Sequence, residues 1–325
     1  MRILVLYRTD AGESGDWAKT LTSAWDGEGV QVGAEDVTDW MPMATGKGVD
    51  KGVSRELERR ARGFDHIHAV GYRVAWACGE AFRLRRSWSM TAYDRPRTTH
   101  AALLDRIAHA RFVVVPSRAV RRDLDEANVT SLVRIAPARG ANPVMDRQAA
   151  RARLGLGVDD LVVTRWFSAR AEVETEPAQR WAEVHAQFPE AILLIAGPGA
   201  DDPAKCMPSP RVRRLPPSTE DLAVVFAAAD LAWLPDARQT QWLAALEANA
   251  AGVPCLVDRD GSLDDLVDDD VTGRVAAGDD PAPLIHLLEL PLHRQALGNA
   301  ARARVTPRAL EEAVEAYRRA LDGKA

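Results

Sequence analysis

What most restricts this chain is an alternation sustained over nearly its whole length. Short apolar runs that read as buried strands are separated by amphipathic stretches that read as helices. In the first half the runs are RILVLY (2–7), DHIHAVG (65–71), SWSMTAY (87–93), FVVVPS (112–117) and LVRIAPA (132–138). In the second they are DLVVTRWF (160–167), AILLIAGPG (191–199), VRRLP (212–216), LAWLP (231–235), PCLVD (254–258) and GRVAAG (273–278). Between them lie helical segments such as SRELERRARG, AVRRDLDEA and EPAQRWAEVHAQF. Apolar strands alternating with crossover helices predict parallel sheets covered on both faces. The cycle pauses near RGANPVMDRQAARARLGLG (139–157) and then restarts. Two doubly wound domains are the simplest architecture, and 325 residues suffice for two separate cores. In such sheets ligands bind at the carboxyl ends of the strands, and two facing domains enclose a cleft.

Bulk composition narrows the class. Hydrophobic residues make up 46% and charged residues 27%, the balance of a soluble globular protein. No run approaches the roughly 20 apolar residues of a membrane span, and the opening ILVLY is too short and too poorly flanked for a signal peptide. Cys78, Cys206 and Cys255 form no C-x-x-C pair and read as buried thiols of a cytoplasmic protein. Residues 1–145 carry 22 basic against 18 acidic side chains (+4); with the whole chain at −5, the remainder stands at −9. That asymmetry is read either as two halves facing different partners or as ordinary variation of solvated surface.

Dinucleotide and P-loop fingerprints are absent: no G-x-G-x-x-G follows a strand and there is no G-x-x-x-x-G-K-[ST]. The first strand runs into RTDAGESGDW, a glycine-bearing loop whose amides, at Gly15 in particular, can meet an anion ahead of a helix. Arg165 closes a strand, and Arg170 follows five residues later. Two guanidiniums leaving one strand tip can converge on a diphosphate, or they can pair with Glu172 and Glu174. LLIAGPG sets Gly197 at the next strand tip. The segment QTQWLAALEANAAGVP reads as a helix stopped at Gly252, with Glu247 on the same face as Leu243, Leu246 and Ala250. A carboxylate among apolar neighbours needs a hydrogen-bonding partner, either a ligand or a nearby arginine.

The order of these segments resembles the retaining nucleotide-sugar glycosyltransferases of the GT-B fold (glycosyltransferase family 4, group 1 type). The likeness is densest over residues 112–305, through HARFVVVPSRAVRRDL, ARARLGL, LLIAGPG, VVFAAADLAWLP and LEANAAGVPCLVDRDGSLDDLVDDDVTGRVAAGDD. It implies an α/β GT-B protein, with two Rossmann-like doubly wound domains facing a central cleft. Residues 1–145 would form an acceptor-side domain and 146–305 a donor-binding domain. A final helix over 306–325 would cross back to the first domain or cap the second. Arg165 and Arg170 match the family's Arg and Lys that neutralise the donor diphosphate. Glu247 matches the second acid of a Glu–seven residues–Glu motif that binds the donor ribose, and Gly197 and Leu215 match positions lining the base pocket. Thr240 and Gln241 stand in the turn that approaches the phosphates.

The pattern also departs from the family. The motif's first Glu is Gln239, an amide without negative charge. The family's Gly-Phe-Gly-like turn is Thr240-Gln241-Trp242, which lacks the glycines that permit close backbone approach. The family's active-site His aligns with Tyr93, a poor base near neutrality, with Asp94 and His100 as partial substitutes. His68 reads as structural. The resemblance implies a nucleoside-diphosphate sugar as donor substrate with no cofactor and no metal, Asp268–Asp270 reading as a solvated turn. Partners would be a nucleotide sugar and a carbohydrate, lipid or small-molecule acceptor, with no nucleic acid. The arginines of RLRRSW and SRAVRR suggest either peripheral contact with an anionic membrane or solvated helix faces. Two other readings share the fold: a non-catalytic partner of another transferase, and a sugar-nucleotide epimerase.

Overall fold

The computed structural model describes residues 1–9, 13–26, 29–41, 51–82, 86–93, 95, 101–139, 144–167, 176–197, 211–215, 222–235, 241–259, 261–263, 265–276 and 280–323. The chain divides into two compact units, Met1–Pro137 with Arg308–Ala325, and Ala138–Pro307.

The first unit holds a six-stranded sheet in the order β2-β1-β3-β4-β5-β6, from β1 (Arg2–Tyr7), β2 (Gln31–Asp36), β3 (His66–Val70), β4 (Trp88–Thr91), β5 (Val113–Val115) and β6 (Leu132–Arg134). Every neighbouring pair in it is parallel. β1 and β3 to β5 are buried because each is covered on both faces, which is why they read as continuous apolar runs. β2 did not stand out in the sequence. It is an edge strand, QVGAED, with no buried position, so neither an apolar run nor clean alternation marks it. The face carrying Leu4, Leu6, Ile67, Ala69, Trp88 and Met90 packs against α2 (Lys51–Arg60), α3 (Tyr72–Phe82) and neighbouring helices.

The opposite face is polar at its centre. Strand period puts His66 and His68 on one side of β3 and Ser87, Ser89 and Thr91 beside them. They form a continuous chain of hydrogen bonds. His66 Nδ1 meets Ser87 Oγ at 2.8 Å and His66 Nε2 meets Ser89 Oγ at 2.7 Å. His68 Nδ1 meets Ser89 Oγ at 2.8 Å and His68 Nε2 meets Thr91 Oγ1 at 2.9 Å. The last helix, α12 (Pro307–Leu321), supplies the end of the chain: Tyr317 OH lies 2.7 Å from Thr91 Oγ1. The Tyr317 ring packs 5.2 Å from Trp25 of α1 (Glu13–Trp25) and 5.4 Å from His68. Burial, then Arg111, pushes His66 down to about 4; burial, then His66, pushes His68 down to about 3. Both are core histidines, neutral near pH 7.

The second unit holds β7 (Val162–Trp166), β8 (Ile192–Ala196), β9 (Val212–Arg214), β10 (Leu231–Leu234), β11 (Cys255–Asp258) and β12 (Gly273–Ala276) in the order β12-β11-β10-β7-β8-β9. This too is a parallel sheet, and its order reverses between β7 and β10. Ligands of doubly wound sheets bind at such a reversal, beyond the carboxyl ends of the strands. One face packs on α7 (Glu176–Gln187), α10 (Ala282–Glu289) and α11 (Pro291–Arg304). α8 (Leu222–Ala228) and α9 (Trp242–Ala251) pack on each other and on β7, β10 and β11. Cys78 and Cys255 are free and buried, and burial raises both thiols; Cys206 lies outside the described residues. Among the described residues no helix is long and apolar enough to cross a membrane.

Candidate functional site

The site is assembled at the tip of β7, beside the strand-order reversal. After Trp166 the chain leaves the sheet, and the Phe167 amide donates to the Ala196 carbonyl at 2.8 Å. Gly197 sits directly against this turn. A Cβ there would lie 2.3 Å from the Phe167 carbonyl oxygen, and its φ of +103° is one that side-chain-bearing residues avoid. Leu215, just past β9, donates its amide to the Ile195 carbonyl at 2.9 Å and is buried.

Arg165 faces the side of the sheet packed by α7. Its guanidinium lies 4.7 Å over the Phe167 ring and 4.8 Å over Trp233, and the residue is 3% exposed. Arg180 of α7 lies over the same Trp233 at 5.5 Å. Two aromatic faces therefore fix the Arg165 cation with little freedom, each contact contributing on the order of 1–2 kcal/mol in a desolvated setting.

α9 begins at the same tip. Gln241, in the N-cap position, makes no capping bond to its own helix; its Nε2 donates to the Trp166 carbonyl at 3.0 Å. The amide thus ties the helix start to the end of β7, and its buried Oε1 has no partner among the described residues. The helix ends at Gly252, which takes the left-handed conformation at φ 74°. Sequence periodicity suggested an amphipathic helix with Glu247 on its apolar face. The structure differs: Trp242–Leu246 and Ala248–Ala250 are all buried, so the helix is apolar nearly all round, and only Glu247 and the last residue, Ala251, are partly exposed. The Glu247 carboxylate is not stranded. Arg139 Nε donates to Glu247 Oε1 at 2.7 Å, with side-chain exposures of 8% and 17%. Of the two partners the sequence left open, the arginine is present, and it comes from 108 residues away in the chain.

Arg165, Gly197 and Gln241 are therefore gathered around Trp166 and Phe167, Leu215 stands on the β9 side, and Glu247 lies six residues further along α9, about 9 Å by helical rise. Arg170, Gln239, Thr240, Asp94 and His100 lie outside the described residues. In the first unit Tyr93 is buried two residues beyond β4. Gly15 is not in a loop ahead of α1 but within its first turn, and it is buried. A Cβ there would meet the Arg8 carbonyl oxygen at 2.7 Å, so the glycine permits close packing of helix on strand.

Residues 177–290 match the family model described as Glycosyl transferases group 1. Among curated proteins, the D-inositol 3-phosphate glycosyltransferase of Mycobacterium sp. (strain KMS) is 35% identical over 162 residues, 46% of this chain and 36% of that protein. The enzyme of the same description from Mycobacterium bovis is 35% identical over 146 residues, 41% of this chain and 30% of its own length. The matched stretch thus spans about a third of these relatives. Sucrose-phosphate synthase from Thermosynechococcus elongatus superposes with a TM-score of 0.78 at 17% identity, over 99% of this chain and 100% of that one. Anabaena HepE in complex with UDP-glucose does so with a TM-score of 0.76 at 16% identity and the same coverage. The chain has the GT-B fold, and within it residues 177–290 match the group 1 glycosyltransferases.

Proposed function

We propose that the chain transfers a glycosyl unit from a nucleoside-diphosphate sugar to an acceptor, with retention of anomeric configuration. The observation that carries this reading is Glu247, the acidic and partly exposed residue of a helix buried along nearly all its length, inside the stretch matched to the group 1 family. The HepE structures, similar in fold, hold UDP-glucose, UDP with glucose, or UDP, which makes a uridine donor the first to test.

In this reading Glu247 accepts hydrogen bonds from the donor ribose. Arg165 and Arg170 offset the charge that accumulates on the departing diphosphate, assisted by the positive end of α9. Arg165 brings preorganisation, because a cation held between Phe167 and Trp233 has little reorganisation left to do when charge develops beside it. Gly197 and Leu215 border the base, and Thr240 and Gln241 meet the phosphates. Gln239 offers an amide, in place of an acid, to the transferred sugar. The first unit is assigned the acceptor, with Tyr93 and Asp94 as hydrogen-bonding groups. No step of this scheme draws on a metal or cofactor.

Isothermal titration with UDP, GDP and ADP tests the donor site. The wild type should bind at least one, and Glu247→Ala and Arg170→Ala should each weaken it more than tenfold. Mass spectrometry of incubated donor then reads the chemistry: transfer releases nucleoside diphosphate, epimerisation leaves the donor mass unchanged, and inert binding leaves the donor intact. Absence of binding to all three nucleotides, or unchanged affinity in both variants, refutes the donor assignment.

A further inference from the structure

We propose that the buried hydroxyls and imidazoles on the polar face of the first sheet form a proton-operated latch for α12. A proton taken up at His68 releases the last helix while the sheet beneath it stays formed. The backbone passes from the first unit to the second at Pro137–Ala138 and returns at Pro307–Arg308, so α12 is the segment that fastens the return. Its buried positions are Ala313, Val314, Tyr317, Ala320 and Leu321, one helical face on which Tyr317 alone can form a side-chain hydrogen bond.

Trp17 gives the hydrogen-bond chain its direction. An indole N–H donates and never accepts, and Trp17 of α1 bonds the Tyr317 hydroxyl. Tyr317 therefore directs its own proton to Thr91 Oγ1, at 2.7 Å. Thr91 donates to His68 Nε2 at 2.9 Å, and His68 Nδ1–H to Ser89 at 2.8 Å. Ser89 then donates to His66 Nε2 at 2.7 Å, and His66 Nδ1–H to Ser87 at 2.8 Å. In this arrangement each hydroxyl between Trp17 and Ser87 both accepts and donates, and both imidazoles are neutral Nδ1–H tautomers.

A proton on His68 Nε2 breaks the sequence at its α12 end. Nε2–H now donates to Thr91, so the Thr91–Tyr317 pair holds one hydroxyl hydrogen too many, buried and without an acceptor. Ser89 is undisturbed, because His68 Nδ1 donates to it in both states. The penalty lands on the contact that holds the helix. Nothing nearby offsets the new charge. β1 sets Ile3 and Val5 beside the two histidines, α1 presents Trp17 and Trp25, and α12 brings Tyr317. Ahead of β5 stand Phe112, stacked on His66, and Arg111, which repels a charge there. Among the described residues no carboxylate bears on either ring. Departure of Tyr317 uncovers His68 and restores its proton affinity, so opening and protonation drive one another.

Hydrogen exchange on the full chain, corrected for the pH dependence of the intrinsic rate, compares the α12 amides with those of β3 and β4 between pH 7 and pH 5. His68 moves between about 3 when covered and 6.5 when free, so the opening equilibrium of α12 should rise about 25-fold. Opening of β3 and β4 frees both histidines and should rise roughly 500-fold. His68→Gln should flatten the α12 response and His66→Gln should leave it. Tyr317→Phe should raise α12 opening about twofold to tenfold at both pH values, the effect of one hydrogen bond. An α12 that opens only with β3 and β4 and with their slope, one that ignores pH, or one whose response persists in His68→Gln overturns the latch. Should His68→Gln fail to fold, the wild type decides alone, because one-proton and two-proton slopes are read within the same molecule.

Discussion

Mild acid should loosen the first unit through His66 and His68. Both imidazoles titrate near 6.5 in the unfolded chain, and burial holds them at about 4 and about 3 in the folded one. Below pH 6.5 the unfolded state therefore takes up protons that the folded state refuses, so stability is retained above that pH and falls as pH drops. Integrating between the two pKa values gives about 2 kcal/mol per histidine at pH 5, or roughly 4 kcal/mol together. That is a large share of the 5–15 kcal/mol typical of a folded domain. The hydrogen-bond chain explains why protonation is resisted. A neutral imidazole donates at one nitrogen and accepts at the other, so Ser87, His66, Ser89, His68, Thr91 and Tyr317 can all point their protons one way along the chain. An imidazolium donates at both nitrogens, and the reversed hydroxyl protons then lose their acceptors. Arg111 beside His66 adds repulsion.

Native-state hydrogen exchange at the β3 and β4 amides reads this free energy locally. Opening free energies there should fall by about 4 kcal/mol between pH 7 and pH 5 in the wild type, and by about half as much in His68→Gln. In parallel, the His68 ring proton signals should show no titration above pH 4.5. An unchanged pH slope in His68→Gln, or a His68 midpoint near 6.5, refutes the reasoning.

Two substitutions probe the second unit. Gly197→Ala forces a Cβ to within 2.3 Å of the Phe167 carbonyl at a φ of +103°, and should cost more than about 2 kcal/mol in urea denaturation. Asp230 sits at the centre of an ion cluster, with Oδ1 at 2.6 Å from Arg147, and Oδ2 at 2.9 Å from Arg151 and 2.8 Å from the Val162 amide. Asp230→Ala leaves the buried Arg151 cation without that carboxylate and should cost about 3–5 kcal/mol by the same assay.

What the sequence discloses, and what it withholds, follows from how each element is solvated. β3, β7 and β8 were legible because strands covered on both faces read as unbroken apolar runs. β2 was not, because a half-exposed edge strand carries no such signature. The end of α9 was legible because only a residue tolerant of positive φ suits Gly252. Its all-round burial was not, because an acid in the run imitates an amphipathic face. For the site, Glu247 could be singled out as an acid in apolar company. Its partner could not, since Arg139 is brought to it by tertiary topology and not by any local period. Likewise, Arg165 reads from sequence as a free strand-tip cation, whereas the aromatic faces of Phe167 and Trp233 are contributed by the strand's own end and by β10.

The two units solve the same problem, a polar group inside a parallel α/β core, by opposite means. The first uses uncharged groups in series, whose stability depends on both histidines staying neutral. The second uses opposite charges, Asp230 with Arg147 and Arg151, and Glu247 with Arg139. Between pH 6.5 and 5 the penalty of protonation therefore falls on β3, β4 and the helix that carries Tyr317.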